Sequence, residues 1–392
     1  MRIALIGDTD VRSGFAWLRL QQFREGLGGS VDVVDWREVG PLRADAVVSA
    51  GTWGPVRAAV AAAGELPLCV DLPGDPFADA QAVGGEAAAD AAAAVFVPAL
   101  LRGDAFTTIS TPSRHALLGQ LGLLGRLART PPGEEWVAVA PIAWHFPGLA
   151  EQPRRDAGLR VALVGSFNTW FDGETLLAGL LGAMERAPVE VVCVGGPVPG
   201  HHVATFEAFA AGARASRHAA RFSFQPWTDD LRAVLAPCQV AVCLDRPGYE
   251  PEFGSRTRLL LYLHQGLRVI ATARCELARE LRGFVTEVPP GDTAAVTAAI
   301  LAPPPTPDRA PLRTRYSVER TTASLREWAA APRRRAIHGD ADVLAALLRE
   351  RDASRAELAA VRGSATWRLL DRLKRFDRLR RIRRLTDTPP AS

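Results

Sequence analysis

Short apolar strands that alternate with helices are the feature of this 392-residue sequence that most restricts its fold. Each strand runs four to six residues and ends in glycine or a polar residue, and a helical pattern follows it. This alternation predicts parallel sheets covered by helices on both faces, because parallel strands need a crossover connection. The predicted strands of the first block are Arg2–Ile6, Val31–Trp36, Ala46–Ser49, Leu68–Asp71, Phe106–Ile109 and Trp136–Ala140.

A second block of the same kind begins after the polar, proline-punctuated stretch Glu151–Asp156. The fold class is therefore α/β, with two doubly wound Rossmann-like domains facing across a cleft, plus a helical basic C-terminal tail. A helix near Val318–Ala329 is expected to return from the second domain and pack on the first. The expected divisions are a first domain at 1–150, a linker at 151–158, a second domain at 159–302, the returning helix and a linker at 303–335, and the tail at 336–392.

The stretch Val161–Leu181 places a polar turn between a buried strand and a helix. Val161–Val164 is an unbroken apolar run that ends in Gly165, and Glu174–Met184 has leucines at helical spacing. A strand's carboxyl end beside a helix N-terminus favours a phosphate-bearing ligand, because backbone N–H groups and the helix dipole attract anions. The turn Ser166–Asp172 is therefore a candidate nucleotide site. An ordinary strand-to-helix connection is the competing interpretation.

Two motifs with metal-binding character are interpreted as structural. Asp8-Thr9-Asp10 resembles the paired aspartates with which some enzymes hold a divalent metal. Two aspartates one residue apart are common, however, and their place after the first strand is unusual for that role. The five cysteines are scattered in apolar runs, which favours core residues in a reducing cytoplasm. No apolar stretch is long enough for a bilayer span, and the first residues lead directly into a strand rather than a signal peptide. We expect no metal and no cofactor.

The positive charge is concentrated at the C-terminal end. Between Arg362 and Arg384 there are ten basic residues against Asp371 and Asp377, so the rest of the chain carries a net charge of −4 against +4 for the whole. Such a segment is attracted to anionic lipid. Aromatic residues that stack on bases are not interleaved with it beyond Trp367 and Phe376, which argues against nucleic-acid binding. The expected location is the cytoplasm, with peripheral attachment to the inner face of the membrane.

Four phrases in order resemble the family-four-like glycosyltransferases of bacterial cell-surface polysaccharide clusters, which have the two-domain GT-B fold. They extend over nearly the whole chain. The phrases are Leu117–Leu121 with Gly125-Arg126, Gly165–Leu177, Arg256–Leu260 with Gly266–Ile270, and Ser364–Leu369.

This resemblance implies metal-independent transfer of a sugar from a nucleoside diphosphate sugar to a glycan or lipid-linked acceptor. It implies that the second domain binds the donor and the first domain binds the acceptor. The residues assigned on this basis are Glu252 and Asp75 as catalytic groups, Gly165, Asn168, Trp170, Asp172, Trp227, Arg256 and Arg258 on the donor side, and Asp71 and Arg12 on the acceptor side.

The most specific expectation is that Arg256 and Arg258 bind the diphosphate together with the Gly165–Asp172 turn. Both arginines lie at the start of the predicted helix Thr257–Gln265, where cations are unfavourable unless an anion joins them. A guanidinium stays charged and grips two phosphate oxygens at once. Internal pairing with Glu250 or Glu252 is the competing explanation.

The chain also departs from the family pattern. Leu261 stands where many relatives have an acidic residue, and Arg268 replaces the usual proline. These departures favour a second hypothesis, a catalytically silent GT-B protein that acts as a binding or assembly partner in a polysaccharide complex.

Overall fold

The computed structural model describes residues 1–10, 14–51, 53–128, 130–149, 151, 159–196, 202–228, 230–302, 308–335 and 340–367. The chain divides into two compact units, Met1–Ala336 and Ile337–Ser392. None of the described helices combines the length and apolar character that a membrane span requires.

The first sheet has six parallel strands in the order β2-β1-β3-β4-β5-β6. Its strands are β1 (Ile3–Gly7), β2 (Val31–Asp35), β3 (Ala46–Ser49), β4 (Leu68–Leu72), β5 (Ala105–Thr108) and β6 (Val137–Val139). Its helices are α1 (Gly14–Leu27), α2 (Gly54–Ala62), α3 (Pro76–Val83), α4 (Glu86–Arg102) and α5 (Thr111–Leu123).

The second sheet is also six-stranded and parallel, in the order β12-β11-β10-β7-β8-β9. Its strands are β7 (Arg160–Ser166), β8 (Glu190–Gly196), β9 (Phe222–Gln225), β10 (Val240–Cys243), β11 (Arg268–Ala271) and β12 (Thr286–Glu287). Its helices are α6 (Gly173–Met184), α7 (Ala204–Ala215), α8 (Leu231–Leu235), α9 (Tyr249–Phe253), α10 (Arg258–His264), α11 (Glu276–Glu280) and α12 (Thr293–Leu301), with a 3₁₀ turn at Ala219–Arg221. The prediction of two doubly wound Rossmann-like domains is confirmed.

An apolar cluster joins the two halves of the first unit. Ile109 and Phe146, which follow strands of the first sheet, pack with Leu259 and Leu263 of α10. The backbone N–H of Trp144 donates to the carbonyl of Tyr316 at 2.6 Å. Residues that follow the first sheet, residues of the second sheet and residues of the segment after it therefore share one apolar cluster.

The segment after the second sheet returns to the first one. It contains α13 (Ala310–Arg315), α14 (Val318–Thr321) and α15 (Ala323–Ala330), where the sequence predicts one helix over Val318–Ala329. The helix is interrupted at Thr322, whose hydroxyl donates to the carbonyl of Val318 at 2.6 Å, a bond that bends helices. A Cβ placed at Gly26 of α1 would lie 2.2 Å from Thr322 Oγ1, so α1 and this break are in close contact.

The second unit contains α16 (Asp340–Gly363), which exposes Leu347, Leu358 and Val361. The basic tail prediction falls mostly on residues 368–392, which lie outside the described residues.

The packing of α15 on the first sheet yields a stability prediction. Leu325 is 1% exposed and lies in one cluster with Leu5 and Phe23. Replacing it by alanine removes buried methyl groups and leaves a cavity, so we expect Leu325→Ala to lower the free energy of unfolding by about 2–5 kcal/mol in urea titrations. The matched control is Leu123→Ala, because Leu123 is 88% exposed and the change should stay within about 0.5 kcal/mol. Equal stability of the two variants would contradict this packing.

Candidate functional site

The strand order of the second sheet locates a crevice between β7 and β10. The chain leaves β7 towards β8 and β9 on one side, and β10 to β12 lie on the other side, which makes this a topological switch point. Ligands of open parallel sheets bind at the carboxyl ends of such strands. The ladder between β10 and β7 covers Val240 with Val161 and Ala241 with Ala162, at the amino ends of the two strands.

Tyr262 of α10 occupies the gap where the two strands diverge. The backbone N–H of Val164 donates to its phenolic oxygen at 2.8 Å. The phenol is fully buried, and this burial raises the pKa of Tyr262, which therefore stays protonated. The buried amide of Val164 thus keeps a hydrogen-bond partner where the sheet opens at its carboxyl edge.

Glycines line the floor of this crevice. Gly165, the last residue but one of β7, has a φ of 121° and pairs with Gly195 of β8, whose φ is 100°. A Cβ at Gly195 would lie 2.5 Å from the carbonyl oxygen of Gly165 and 3.3 Å from Cε3 of Trp227. The indole of Trp227, which is 40% exposed, therefore lies directly on bare backbone. This brings Gly165 and Trp227, both predicted for the donor side, into one place.

Arg258 carries the positive charge of the crevice. A Cβ at Gly165 would lie 3.0 Å from its Nη2, and the same nitrogen donates to the carbonyl of Ser166 at 3.0 Å. Its guanidinium carbon lies 4.5 Å from the centroid of the Trp170 ring, a cation–π distance. Within the described part of the chain, no carboxylate forms an ion pair with Arg258. Its charge therefore remains available to an anionic ligand.

Arg256, the second arginine predicted for the diphosphate, has a different environment. Its Nε donates to both carboxylate oxygens of Asp245 at 2.9 Å, and its Nη2 donates to Glu250 at 2.8 Å. Burial alone would lower the pKa of Arg256, but the two carboxylates raise it well above its usual value. The competing explanation, in which the arginine pairs with internal carboxylates, therefore applies to Arg256, whose partners are Glu250 and Asp245. Asp245 follows an apolar run that ends at Leu244, but sequence reasoning did not single it out.

The turn between β7 and α6 is fixed by its own aromatic core. Trp170 is only 7% exposed, and Phe167 stacks on Phe206 at a centroid distance of 5.3 Å. Asn168 accepts the N–H of Thr169 at 2.9 Å through its side chain. Asp172 caps α6 by accepting the N–H of Thr175 at 3.2 Å. Trp170 and Asp172 therefore support the turn from within.

The predicted acceptor-side and catalytic residues of the first sheet are largely engaged in the fold. Asp71 is fully buried at the end of β4 and forms an ion pair with the equally buried Arg19, with oxygen and nitrogen 2.7 Å apart. It therefore faces the core and not the surface of a cleft. Asp75 caps α3 by accepting the N–H groups of Phe77 and Ala78 at 2.9 and 2.8 Å. Arg12 lies outside the described residues.

Glu252 lies on α9, a short helix that contacts α3 and α5 of the first half. The hydroxyl of Ser110, at the start of α5, donates to the carbonyl of Phe253 at 2.7 Å. Glu252 is half-buried. It therefore belongs to the second half of the unit and lies next to the first.

The Asp8-Thr9-Asp10 motif surrounds a guanidinium. Arg37 lies 3.0 Å from Asp8 and 3.3 Å from Asp10. Over the described ranges, no group of three or more histidine, cysteine, aspartate or glutamate side chains has an arrangement that would hold a metal ion.

The five cysteines are free and buried. Burial raises the pKa of Cys275 to about 11 and the pKa of Cys243, at the end of β10, to about 12. The thiols of Cys275 and Cys243 are therefore protonated at neutral pH, which is the less nucleophilic form of cysteine.

Comparison with solved structures identifies the fold class. No protein-family model matches the sequence, and no curated protein matches it. Sucrose-phosphate synthase from Thermosynechococcus elongatus superposes with a TM-score of 0.52 at 19% identity, covering 90% of this chain and 99% of that one. Anabaena HepE in complex with UDP-glucose superposes with a TM-score of 0.53 at 15% identity, covering 85% of this chain and 95% of that one. AviGT4, a glycosyltransferase involved in avilamycin A biosynthesis, superposes with a TM-score of 0.52 at 11% identity, covering 85% of this chain and 98% of that one. The chain has the GT-B fold of these proteins.

Proposed function

We propose that this protein is a glycosyltransferase that moves a sugar from a nucleoside diphosphate sugar to a glycan or lipid-linked acceptor in cell-surface polysaccharide synthesis. The observation that carries the proposal is the β7/β10 crevice, where a glycine floor lies beside an exposed indole and a guanidinium with no ion pair among the described residues. Structural neighbours with the same fold include HepE in complex with UDP and with UDP-glucose. We therefore take UDP as the first nucleotide to test.

In this proposal, each group of the crevice has one task. The flat indole of Trp227 stacks on the nucleobase, as aromatic side chains do with every base. The bare backbone at Gly165 and Gly195 lets the diphosphate approach closely. Arg258 neutralises the charge that grows on the departing diphosphate, a stabilisation that acts mainly in the transition state. This assignment needs no metal ion, and Arg37 already pairs with Asp8 and Asp10.

Arg256 and Asp245 form a buried ion pair next to this site. The guanidinium carbon of Arg256 lies 4.4 Å from the Trp170 centroid, and that of Arg258 lies 4.5 Å from the same ring. Their pairing and stacking fix the loop before α10, and with it the start of the helix that presents Arg258. We propose Arg256 as a positioning residue and Arg258 as the group that binds phosphate.

Titration with UDP tests the phosphate assignment. Arg258→Ala removes a charged donor, which should weaken UDP binding about 10- to 100-fold in calorimetry. The matched control is Arg221→Ala. Arg221 is half-buried and also donates to backbone carbonyls, those of Met184 and Ala187 at 3.1 and 3.2 Å. It directly precedes β9 and therefore lies at the amino ends of the strands, whereas the crevice lies at their carboxyl ends. The control should bind UDP like the wild type. Equal affinity of wild type and Arg258→Ala, with both folded, would overturn the assignment.

Hydrolysis of UDP-glucose separates an enzyme from a silent binding partner. We propose Glu252 as the catalytic carboxylate, because Glu250 is paired with Arg256 and Asp75 caps α3. Glu252→Gln should lower the release of glucose about 100-fold, the lower end of the usual contribution of acid–base groups, and leave UDP affinity unchanged. The exposed Glu207 provides the control Glu207→Gln. Wild-type protein that binds UDP but releases no glucose would instead favour the silent assembly partner that the Leu261 departure suggests.

We also propose that the C-terminal segment attaches the protein to an anionic membrane surface. Its ten basic residues from Arg362 to Arg384 support this, because each contributes about 1 kcal/mol close to anionic lipid. Vesicles containing phosphatidylglycerol should sediment with the full chain but not with a chain that ends at Arg335. Phosphatidylcholine vesicles serve as the control, and equal sedimentation of the two chains would reject the proposal.

A further inference from the structure

The helix α16 of the second unit exposes an apolar face. Leu347, Leu358 and Val361 are 56%, 47% and 53% exposed. Eleven positions along α16 lead from Leu347 to Leu358 and three more lead to Val361, which is close to three turns and one further turn of an α-helix. The three side chains therefore lie in one stripe. Single exposed leucines are common, but an exposed apolar stripe indicates a surface that a partner covers.

The spacing of this stripe is that of a coiled coil. In the heptad notation abcdefg, Leu358 takes position a, and Leu347 and Val361 take position d. Arg351 at a and Ser354 at d are the polar residues of the same seam. The helix has 24 residues, just over three heptads. It can therefore supply one strand of a short coiled coil, but it cannot bury its own stripe.

The charged seam residue Arg351 has an arrangement that such a coiled coil tolerates. Its Nε and Nη2 donate to the carboxylate of the neighbouring Asp352 at 2.9 and 2.7 Å. The charge is therefore held outside the seam, and the aliphatic part of the side chain remains to contact a partner. A single polar residue at position a lowers the stability of a coiled coil but favours one register and one number of strands.

The charges that flank the stripe favour a second copy of the same helix in parallel orientation. Position g carries Glu350 and Glu357, and position e carries Arg362. In a parallel pair, a residue at g lies opposite the e residue five positions later in the other strand, so Glu357 of each copy meets Arg362 of the other. In an antiparallel pair with the same apolar seam, g positions lie opposite each other, and Glu350 meets Glu357. Opposite charges thus meet in the parallel pair, and like charges meet in the antiparallel pair.

Their own helix offers these two charges no partner. No charged residue stands three or four positions from Glu357 or from Arg362, the spacings at which side chains of one helix meet. Over the described ranges of the chain, neither side chain forms an ion pair. A second copy of α16 therefore supplies the opposite charge that the helix lacks at these positions.

We propose that α16 forms a parallel two-stranded coiled coil with α16 of a second copy of this chain. Leu347, Leu358 and Val361 of the two copies pack against each other, and a Glu357–Arg362 pair on each side fixes the orientation. Three heptads with a polar middle bury little apolar surface, so the dimer exchanges with the monomer and its population depends on protein concentration. This association is independent of the proposed sugar transfer.

Sedimentation velocity of the full chain between about 1 and 100 µM tests the dimer. The wild type should change from one copy to two over this range. Leu358→Glu places two carboxylates in the seam and should keep the chain monomeric throughout. The matched control is Ala356→Glu, because Ala356 is exposed and lies on the opposite side of α16, and this variant should dimerise like the wild type. Circular dichroism checks that both variants are folded.

Exchange of the flanking charges tests the pairing with a second copy. Glu357→Arg and Arg362→Glu, each alone, bring like charges together on both sides of the dimer and should raise its dissociation constant about tenfold. The double variant should return to the wild-type value, because opposite charges meet again. Such recovery is not expected if α16 binds any other surface.

Cysteine cross-linking tests the orientation. Ser354 lies opposite Ser354 of the other copy in a parallel pair, but opposite Arg351 in an antiparallel one. Ser354→Cys should therefore form an intermolecular disulfide under mild oxidation, whereas Ala356→Cys should not. The five native cysteines are buried and do not compete.

Three outcomes would overturn the inference. They are a wild type that stays monomeric up to about 100 µM, dimers that persist in Leu358→Glu, and a double charge variant that remains as weak as the single ones. A protein that dimerises through α16 but gives no cross-link with Ser354→Cys would reject the parallel orientation.

Discussion

The hydrogen bond from the Val164 N–H to the Tyr262 hydroxyl is the interaction on which the candidate site depends. It replaces a strand-to-strand bond, so β7 and β10 diverge without leaving a buried amide unsatisfied. Arg258 precedes Tyr262 by four residues on α10 and therefore lies on the same face of the helix. One helix face thus opens the sheet and brings a guanidinium to the opening.

Two buried arginine–carboxylate pairs in the described part of the chain show why a charged residue near a strand end is not by itself a ligand site. Arg19 with Asp71 and Arg256 with Asp245 are both removed from solvent. Removing one partner of such a pair leaves an uncompensated charge in a region of low dielectric, which is strongly destabilising. The first pair joins α1 to β4, and the second joins the residues before α10 to the end of β10. Arg258 instead contacts a backbone carbonyl and an aromatic ring.

The two sheets present different chemistry at equivalent positions. Both have a switch point and both place an exposed tryptophan near it, at Trp53 and Trp227. The second sheet adds glycines and an arginine with no ion pair among the described residues, whereas at the first sheet Arg37 pairs with Asp8 and Asp10.

The sequence by itself determined the two sheets, since unbroken apolar runs such as Val161–Val164 and the alternation with helices are local patterns that only parallel sheets satisfy. It also predicted that the glycine turn and Trp227 lie at one edge of the second sheet, because residues that follow parallel strands share the carboxyl edge. The partner of each arginine was decided only by the tertiary structure. Arg256 and Arg258 are two residues apart and look alike in sequence, but Asp245 lies at the end of another strand and reaches only one of them. The position of the Trp53 ring was likewise decided only by the tertiary structure, because the ring packs edge-on against Phe96 of α4.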